Sequence, residues 1–224
     1  MQLNSITVAR EQAAAEVSFL NQVYGWMTGA LMLTGLVAWL TFQNFDVRQA
    51  RGLFLGAMIA EVLLVLAISF LANRLPVILT ALAFIAYSAL TGFTLSVVFL
   101  NYRLGSVATT FYVTAGTFAA MSVYGLVTRR DLTSVGNLCF MGLIGLILAS
   151  IVNLFLGNGL ADLVISGIGI LVFVGLTAYD TQKLKRLHES GAGTGGQAIV
   201  GALTLYLDFI NLFLYLLRFV GKRR

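Results

Sequence analysis

Long apolar segments dominate this sequence and limit the folds that are open to it. Seven stretches of about 20 predominantly apolar residues follow one another, separated by short polar segments. A helix rises about 1.5 Å per residue, so each stretch is long enough to cross the hydrocarbon core of a bilayer. The apolar runs are continuous rather than alternating, which argues against a membrane β-barrel. The sequence therefore predicts an all-α polytopic membrane protein with seven transmembrane helices in a single membrane domain over residues 1–224. The predicted spans are about 22–42, 52–72, 77–99, 107–127, 135–156, 160–180 and 201–218.

Charged residues are scarce in this chain, and their positions indicate a lipid environment. Of its 224 residues, 59% are hydrophobic and 10% are charged, whereas soluble domains carry about 25% charged residues. The net charge is +5, but most basic residues flank apolar segments, where they set membrane orientation and meet anionic lipid. The lipid bilayer is therefore the expected partner, and nucleic acid is not. Cys139 and His188 are the single cysteine and the single histidine, which argues against a disulfide and against a Cys/His metal site.

Two polar segments lie outside the predicted spans. Residues 1–20 mix charged residues with alanines, which predicts an interfacial or cytoplasmic segment that leads into the first span. Residues 183–197 are polar and rich in glycine, and we predict a loop there. Within it, Gly191–Gly196 matches the G-x-G-x-x-G pattern, but no strand precedes it and no βαβ unit surrounds it. Its composition is that of a flexible linker.

The distribution of lysine and arginine favours a cytoplasmic N-terminus. With the N-terminus inside and seven full spans, seven basic residues fall on internal segments and three on external loops. The basic segment Arg218–Arg224 would then be external, which disagrees with the rule. Either this segment is an exception, or one apolar segment does not cross fully. The internal residues are Arg10, Arg74, Arg129, Arg130, Lys183, Lys185 and Arg186, and the external ones are Arg48, Arg51 and Arg103.

A carboxylate stands near the middle of the last apolar stretch. At bilayer depth, the side chain of Asp208 costs several kcal/mol unless it is neutralised or partnered. Gly201, Thr204, Asp208, Asn211 and Tyr215 recur at steps of three and four, which places them on one face of a helix. Leucine and isoleucine cover the other faces, and a helix that is apolar all round is buried. We therefore predict a central, most buried helix whose polar stripe faces protein. The alternative is a polar seam that only holds helices together.

Three acidic residues fall within the spans or at their ends, and two of them form a candidate pair. Asp180 closes the sixth span, where it could be an interfacial carboxylate paired with Lys183, but Asp208 follows in the next helix. Two carboxylates held close in a low-dielectric site cannot both ionise cheaply, so the pair is expected to share a proton and to titrate near physiological pH. Carboxylate oxygens also suit transient binding of Ca²⁺. Glu61 is either a third ion contact or a separate helix–helix contact, and Asn211 is a further candidate ion contact.

One enzyme class comes close to this arrangement. Aspartyl intramembrane proteases resemble this chain in carrying Tyr-Asp on one helix, here Tyr179-Asp180, and an aspartate on the next. Their second motif is Gly-x-Gly-Asp, in which the glycines admit the substrate backbone. This chain has the bulky run Leu205-Tyr-Leu-Asp208 instead. We therefore predict that the protein is not an enzyme and holds no cofactor.

Three motifs extend along the chain: Leu90-Thr-Gly-Phe-Thr-Leu-Ser96, Thr177-Ala-Tyr-Asp-Thr-Gln182 and Gly201-Ala-Leu-Thr-Leu-Tyr-Leu-Asp-Phe-Ile-Asn-Leu-Phe213. Together they resemble the Bax inhibitor-1 family, in particular its bacterial inner-membrane members, over nearly the whole chain. The resemblance implies seven helices, with the C-terminal one at the centre of the other six. It also implies a pH-sensitive calcium leak controlled by an aspartate pair, which falls on Asp180 and Asp208. A second-helix arginine acts as a latch in the family, and Arg74 is the candidate here.

These observations predict a multi-pass protein of the inner membrane through which Ca²⁺ leaks under pH control. Ca²⁺ would be the permeant ion rather than a cofactor. The alternative is a non-conducting regulator that binds other membrane proteins, such as a membrane protease or a stress-response partner. The sequence shows no docking motif that would identify such a partner.

Overall fold

The computed structural model describes residues 2–45, 51–71, 74–191 and 193–224, which are almost entirely helical. Seven helices in these ranges are long and apolar enough to cross a membrane, if α3 and α4 count as one span. The predictions of an all-α fold and of seven apolar spans are therefore confirmed. In chain order the helices are α1 (Gln2–Asn44), α2 (Arg51–Leu71), α3 (Val77–Leu95), α4 (Val97–Asn101), α5 (Leu104–Val127), α6 (Thr133–Leu156), α7 (Gly159–Glu189) and α8 (Gly195–Val220).

The first helix is longer than the span predicted within it. The predicted interfacial segment 1–20 and the span 22–42 are parts of one helix, α1, which runs from Gln2 to Asn44 without a break. Its apolar, span-like part begins at Val17. Residues 46–50, which include the predicted external residue Arg48, lie outside the described residues.

The predicted loop 183–197 is shorter in the structure than in the sequence prediction. Helix α7 continues to Glu189, and α8 already begins at Gly195. Lysine, arginine and leucine favour helix, and long basic side chains can extend from a helix end toward polar surroundings. The polarity of the segment Lys183–Glu189 therefore did not end the helix. Gly191 adopts a positive φ of 78° in the remaining loop.

The third predicted span is divided at Ser96. The span begins after Pro76, whose carbonyl accepts the N–H of Thr80 at 3.1 Å, so the proline stands where a helix needs no donor. The hydroxyl of Ser96 donates to the carbonyl of Phe93 at 2.7 Å. Serine side chains that bond back to the preceding turn often bend a helix. The predicted span 77–99 is accordingly two helices, α3 and the short α4.

Contacts between the helices group into two compact units. Unit 1 contains Met1–Val97 and Leu184–Tyr206, and unit 2 contains Val98–Lys183 and Leu207–Arg224. Helices α7 and α8 therefore contribute to both units. The single membrane domain predicted from the sequence stays a prediction.

In unit 1, α3 packs against both α1 and α2. A methyl group at Gly92 of α3 would overlap the backbone of Thr34 in α1, so these two helices are in close contact. The rings of Phe54 in α2 and Phe93 in α3 stack with centroids 4.5 Å apart. Small residues and stacked rings thus hold the first three spans together.

In unit 2, the core lies between α6, α7 and α8. A methyl group at Gly175 of α7 would overlap the sulfur of Cys139 in α6, so α6 and α7 also contact closely. Cys139 packs as a small apolar side chain. The buried cluster consists of Cys139, Leu146, Ile165, Val172, Phe173, Leu176 and Leu212.

The last helix is the most buried one among the described spans. In α8, 56% of its most apolar stretch is buried within the protein, against 11–33% for the other six spans. Elsewhere, large apolar side chains such as Phe155 and Leu171 are 83% and 72% exposed. Exposed apolar surface on this scale is typical of contact with lipid rather than water. The prediction that the C-terminal helix is the most buried is confirmed.

Candidate functional site

The predicted polar stripe of α8 lies against α7. Within unit 1, Gly201 leaves room for the side chain of Leu184. Within unit 2, the ring of Tyr215 occupies the space above Gly169 and stacks on Phe173 with centroids 5.7 Å apart. The stripe therefore faces protein at these positions, as its spacing predicts.

Asp180 of α7 and Asp208 of α8 lie side by side within unit 2. They are 9% and 4% exposed, and their carboxyl groups are within hydrogen-bonding reach of each other. The Oδ2 atom of Asp208 has no hydrogen-bond partner among the described residues. Two ionised carboxylates repel each other strongly in such a dry place, whereas a shared proton lets one carboxyl donate to the other. The geometry favours a pair that holds one proton.

Glycines in α5 and α6 bring two helices close to α7 at the level of this pair. A methyl group at Gly125 of α5 would overlap the backbone carbonyl of Ala178. One at Gly136 of α6 would overlap the ring of Tyr179. Because a backbone carbonyl cannot swing aside as a side chain can, the first contact fixes the distance between α5 and α7. The two residues that precede Asp180 are therefore held firmly.

Gln182 connects α7 to the loop between α5 and α6. Its Oε1 accepts the N–H of Leu132 at 2.9 Å, and its Nε2 donates to the carbonyl of Arg130 at 2.9 Å. Thr181 donates to Ser122 of α5 at 3.5 Å. The sequence analysis included Gln182 in a motif without giving it a role, and it did not consider Ser122. A glutamine beside the motif aspartate was the available signal, because a buried amide needs partners for both of its ends.

Lys183 supplies a positive charge near the pair. It lies three residues after Asp180 on the same helix, and its charge acts on the Asp180 carboxyl. Its ammonium group is 5.9 Å from the centroid of the Tyr179 ring, although the side chain is exposed. Lys183 therefore acts on Asp180 through its charge, while Asp208 is the group within hydrogen-bonding reach of Asp180.

The remaining candidate residues have other surroundings. Glu61 of α2 accepts a hydrogen bond from Thr94 of α3 at 2.7 Å within unit 1, which is the helix–helix contact considered from the sequence. The amide of Asn211 donates back to the carbonyl of Leu207 at 2.8 Å. Arg74 is exposed in the turn between α2 and α3 in unit 1. Ion contacts at Glu61 and Asn211 and a latch at Arg74 stay predictions.

The pair alone offers few ligands to a metal ion. Within the described ranges, no group of three or more His, Cys, Asp or Glu side chains could hold one. Ca²⁺ takes six to eight oxygen ligands. The two carboxyl groups supply at most four oxygens, so a passing Ca²⁺ would need backbone carbonyls, hydroxyls or water as further ligands.

The match to a known family covers almost the whole chain. Residues 16–224 match the family described as "Inhibitor of apoptosis-promoting Bax1". The chain belongs to the Bax inhibitor-1 family. Its relatives include the inner membrane protein YbhL of Escherichia coli K12, 48% identical over 92% of both chains. An uncharacterized protein of Deinococcus radiodurans is 42% identical over 99% of this chain and 98% of its own. One of Borreliella burgdorferi is 40% identical over 98% of both chains.

Family membership agrees with the resemblance drawn from the motifs. The motif Thr177–Gln182 contains Asp180 and also Gln182, whose two bonds to the loop between α5 and α6 we call the Gln182 clamp. The motif Gly201–Phe213 contains Asp208 and the buried stretch of α8. The two motifs meet at the carboxyl pair within unit 2. The two motifs therefore contain the two most buried acidic residues among the described residues.

Proposed function

We propose that this protein is a pH-sensitive calcium leak channel that is gated by the Asp180–Asp208 pair. The observation that carries the proposal is the close approach of two buried carboxyl groups on adjacent apolar helices. An ionisable residue at membrane depth is a functional feature by default, because its burial is expensive. A pair that shares one proton changes its charge by one unit over its titration range. Such a change is large enough to open or close a path for an ion.

Ca²⁺ is the substrate of this proposed path and not a resident cofactor. Carboxylate oxygens are hard ligands that suit Ca²⁺, and conduction requires binding that is weak enough to release the ion. A pair of carboxylates completed by carbonyls or water meets both conditions. Asn211 lies one turn after Asp208 on the same helix and is half-buried, so we assign its carbonyl oxygen as a further contact.

The proposed gate is an ion pair between ionised Asp180 and Arg74. A charge-assisted hydrogen bond of this kind is strong, and protonation of the aspartate would weaken it and let α2 move. Arg74 is exposed in the turn after α2, and we assign it this role on the sequence resemblance. Protonation would also remove charge that attracts Ca²⁺, which predicts the opposite sign. We favour the latch because a closed mouth blocks passage, whereas the loss of one ligand only weakens binding.

We further propose a multi-pass topology in the inner membrane with a cytoplasmic N-terminus. YbhL is an inner membrane protein by its name, and the lysine and arginine count favours this orientation. The basic C-terminal segment pairs with the loop between α4 and α5 within unit 2. Four spans separate that loop from the segment, so both lie on one side if each span crosses fully. This contact supports the alternative in which the segment is an exception to the charge rule.

Calcium flux in liposomes tests the proposal. We would load liposomes with a calcium dye and compare the parent protein, Arg74→Ala and Asp180→Asn from pH 8 to pH 6. Flux should rise on acidification in the parent and should be high and flat in both variants. Arg129→Ala, which removes an exposed arginine from the loop between α5 and α6, is the matched control and should keep the parent response. A parent flux that falls in acid would exclude the latch, and so would an Arg74→Ala protein that keeps its pH response.

A groove in unit 1 favours a second candidate, the non-conducting regulator. Gly25 and Gly29 of α1 have no other side chain within 4 Å of an added methyl group. They line a groove of about 550 Å³ that also reaches Phe84 and Ser88 of α3. Two glycines four residues apart let another transmembrane helix approach closely. Replacing both glycines by leucine should abolish crosslinking to a partner helix, if this groove serves a regulator. Parent liposomes without calcium flux, together with that loss of crosslinking, would favour the regulator over the channel.

A further inference from the structure

The C-terminal segment after α8 is attached to the loop between α4 and α5 within unit 2. Tyr102 and Arg223 form an isolated antiparallel β-bridge. The N–H of Arg224 donates to the carbonyl of Asn101 at 3.0 Å. These bonds belong to the backbone, so they fix the segment without using its basic side chains.

Two further bonds extend this attachment. The N–H of Arg103 donates to the carbonyl of Lys222 at 3.2 Å, and the N–H of Lys222 donates to the hydroxyl of Ser106 at 2.9 Å. Ser106 lies in the first turn of α5. The segment Gly221–Arg224 is thus held against the start of a 24-residue helix, where the positive end of the helix dipole also lies.

A cavity of about 410 Å³ opens beside this attachment. Its lining combines the basic residues Arg223 and Arg224 with Asn101, Tyr102 and Leu100. The nearby sequence adds the basic residues Arg103, Arg218 and Lys222. Arg223 and Arg224 therefore make one side of the cavity basic, while Leu100 and Tyr102 give it an apolar side.

We propose that this cavity binds a phosphate group, as carried by the headgroup of an anionic phospholipid. Guanidinium groups bind phosphate oxygens in a fork geometry that adds strength and specificity. Juxtamembrane clusters of basic residues recognise anionic lipid headgroups. The apolar side of the cavity suits the glycerol and upper acyl chain of a lipid, for which free phosphate has no counterpart. Neither the calcium path nor the carboxyl pair is involved in this site.

Binding to purified, detergent-solubilised protein tests the proposal. The probes are phosphatidylglycerol, phosphatidylcholine and inorganic phosphate, each titrated while the melting temperature is followed at fixed ionic strength. The variant Arg223→Gln/Arg224→Gln should bind phosphatidylglycerol about tenfold more weakly or worse, since each basic residue near an anionic surface contributes on the order of a fivefold effect. Arg129→Gln/Arg130→Gln is the matched control, because it removes two exposed arginines from the loop between α5 and α6.

A third variant distinguishes a specific binding site from general charge attraction. Ser106→Ala keeps every charge but removes the hydroxyl that holds Lys222, so it should weaken phosphatidylglycerol binding severalfold. Saturable stabilisation by both phosphatidylglycerol and phosphate would identify a phosphate site, and stabilisation by the lipid alone a headgroup site. Equal weakening in the control pair, no saturable binding of either anion, or an unchanged affinity in Ser106→Ala would overturn the proposal.

Discussion

The carboxyl groups of Asp180 and Asp208 should act as one titrating unit, and asparagine substitutions test this directly. Asparagine keeps the shape of the side chain and cannot ionise. In each single variant, its amide can donate the hydrogen bond that the shared proton supplies in the parent. We therefore compare Asp180→Asn, Asp208→Asn and the double variant with the parent.

The contact between the two groups sets the size of the effect. Two negative charges at hydrogen-bonding distance repel by about 5 kcal/mol at an effective dielectric constant near 20. The folded parent avoids most of this by keeping one proton, which the unfolded chain releases as the pH rises. The folded state then binds one proton more than the unfolded state, so its stability falls by about 1.4 kcal/mol per pH unit. Because the proposed gate requires the pair to release this proton between pH 6 and pH 8, the slope ends near the middle of that range, and the parent should lose about 1.4 kcal/mol relative to either single variant.

The measurement is the free energy of unfolding in mixed micelles, taken at several pH values between 6 and 8. Each single substitution should remove the pH slope, and the double variant should behave like either single one. The same four proteins in dye-loaded liposomes should show that each single substitution abolishes the pH dependence of calcium flux and that the double variant adds little. Agreement between the two assays would tie the proton to the gate.

The double variant decides between a pair and two separate groups. Residues in one network give interaction energies of about 0.5–3 kcal/mol, whereas independent sites add within about 0.5 kcal/mol. If the double variant gains twice the stability of either single one at pH 8, the carboxyl groups titrate independently. A parent whose stability does not change between pH 6 and pH 8 would also refute the shared proton.

Three further predictions concern the packing around the site. Gly125→Ala should destabilise the protein by about 1–3 kcal/mol, because its methyl group would overlap a carbonyl of α7. Gly116 on the same helix has open space, so Gly116→Ala should be neutral or slightly stabilising. Equal effects of the two substitutions in unfolding experiments would refute the contact. Gln182→Leu should speed hydrogen exchange in residues 130–132 and cost about 1–3 kcal/mol, and unchanged exchange would show that the clamp is weak. Tyr206→Phe should cost about 1 kcal/mol by removing the 2.7 Å hydrogen bond to Thr34, whereas Thr204→Val, which loses only a bond within its own helix, should cost less in the same unfolding assay.

Helix positions and the polar stripe of α8 could be predicted because both are local properties of the sequence. Apolar length determines whether a helix can span the membrane, and the spacing of Gly201, Asp208 and Tyr215 determines their common face. The stripe faces α7 in the structure. The ends of the helices were less predictable, since a polar segment such as Lys183–Glu189 can leave the membrane without ceasing to be helical.

Contacts that depend on the partner helix could not be predicted. Gly116 and Gly125 lie on the same helix and look alike in the sequence, yet only Gly125 meets a neighbouring backbone. The side chain of Gln182 bonds to backbone atoms of Arg130 and Leu132. Any residue would supply such backbone atoms, so the sequence of the loop does not indicate this contact. The attachment of Arg223 and Arg224 to the loop after α4 is a backbone contact of the same kind.

The glycines also show how tightly different helices are packed. Close to Asp180, atoms of α7 occupy the space beside Gly125 and Gly136. Helix α7 therefore has little room to move when the charge of the pair changes. In α2, by contrast, Gly52 and Gly56 have nothing within 4 Å of an added methyl group, and only 17% of the span is buried. Elements with few buried contacts open at the lowest free-energy cost. Low packing alone would also select α6, of which 11% is buried, so our proposal of a gate in α2 rests on the arginine that follows this helix and not on packing.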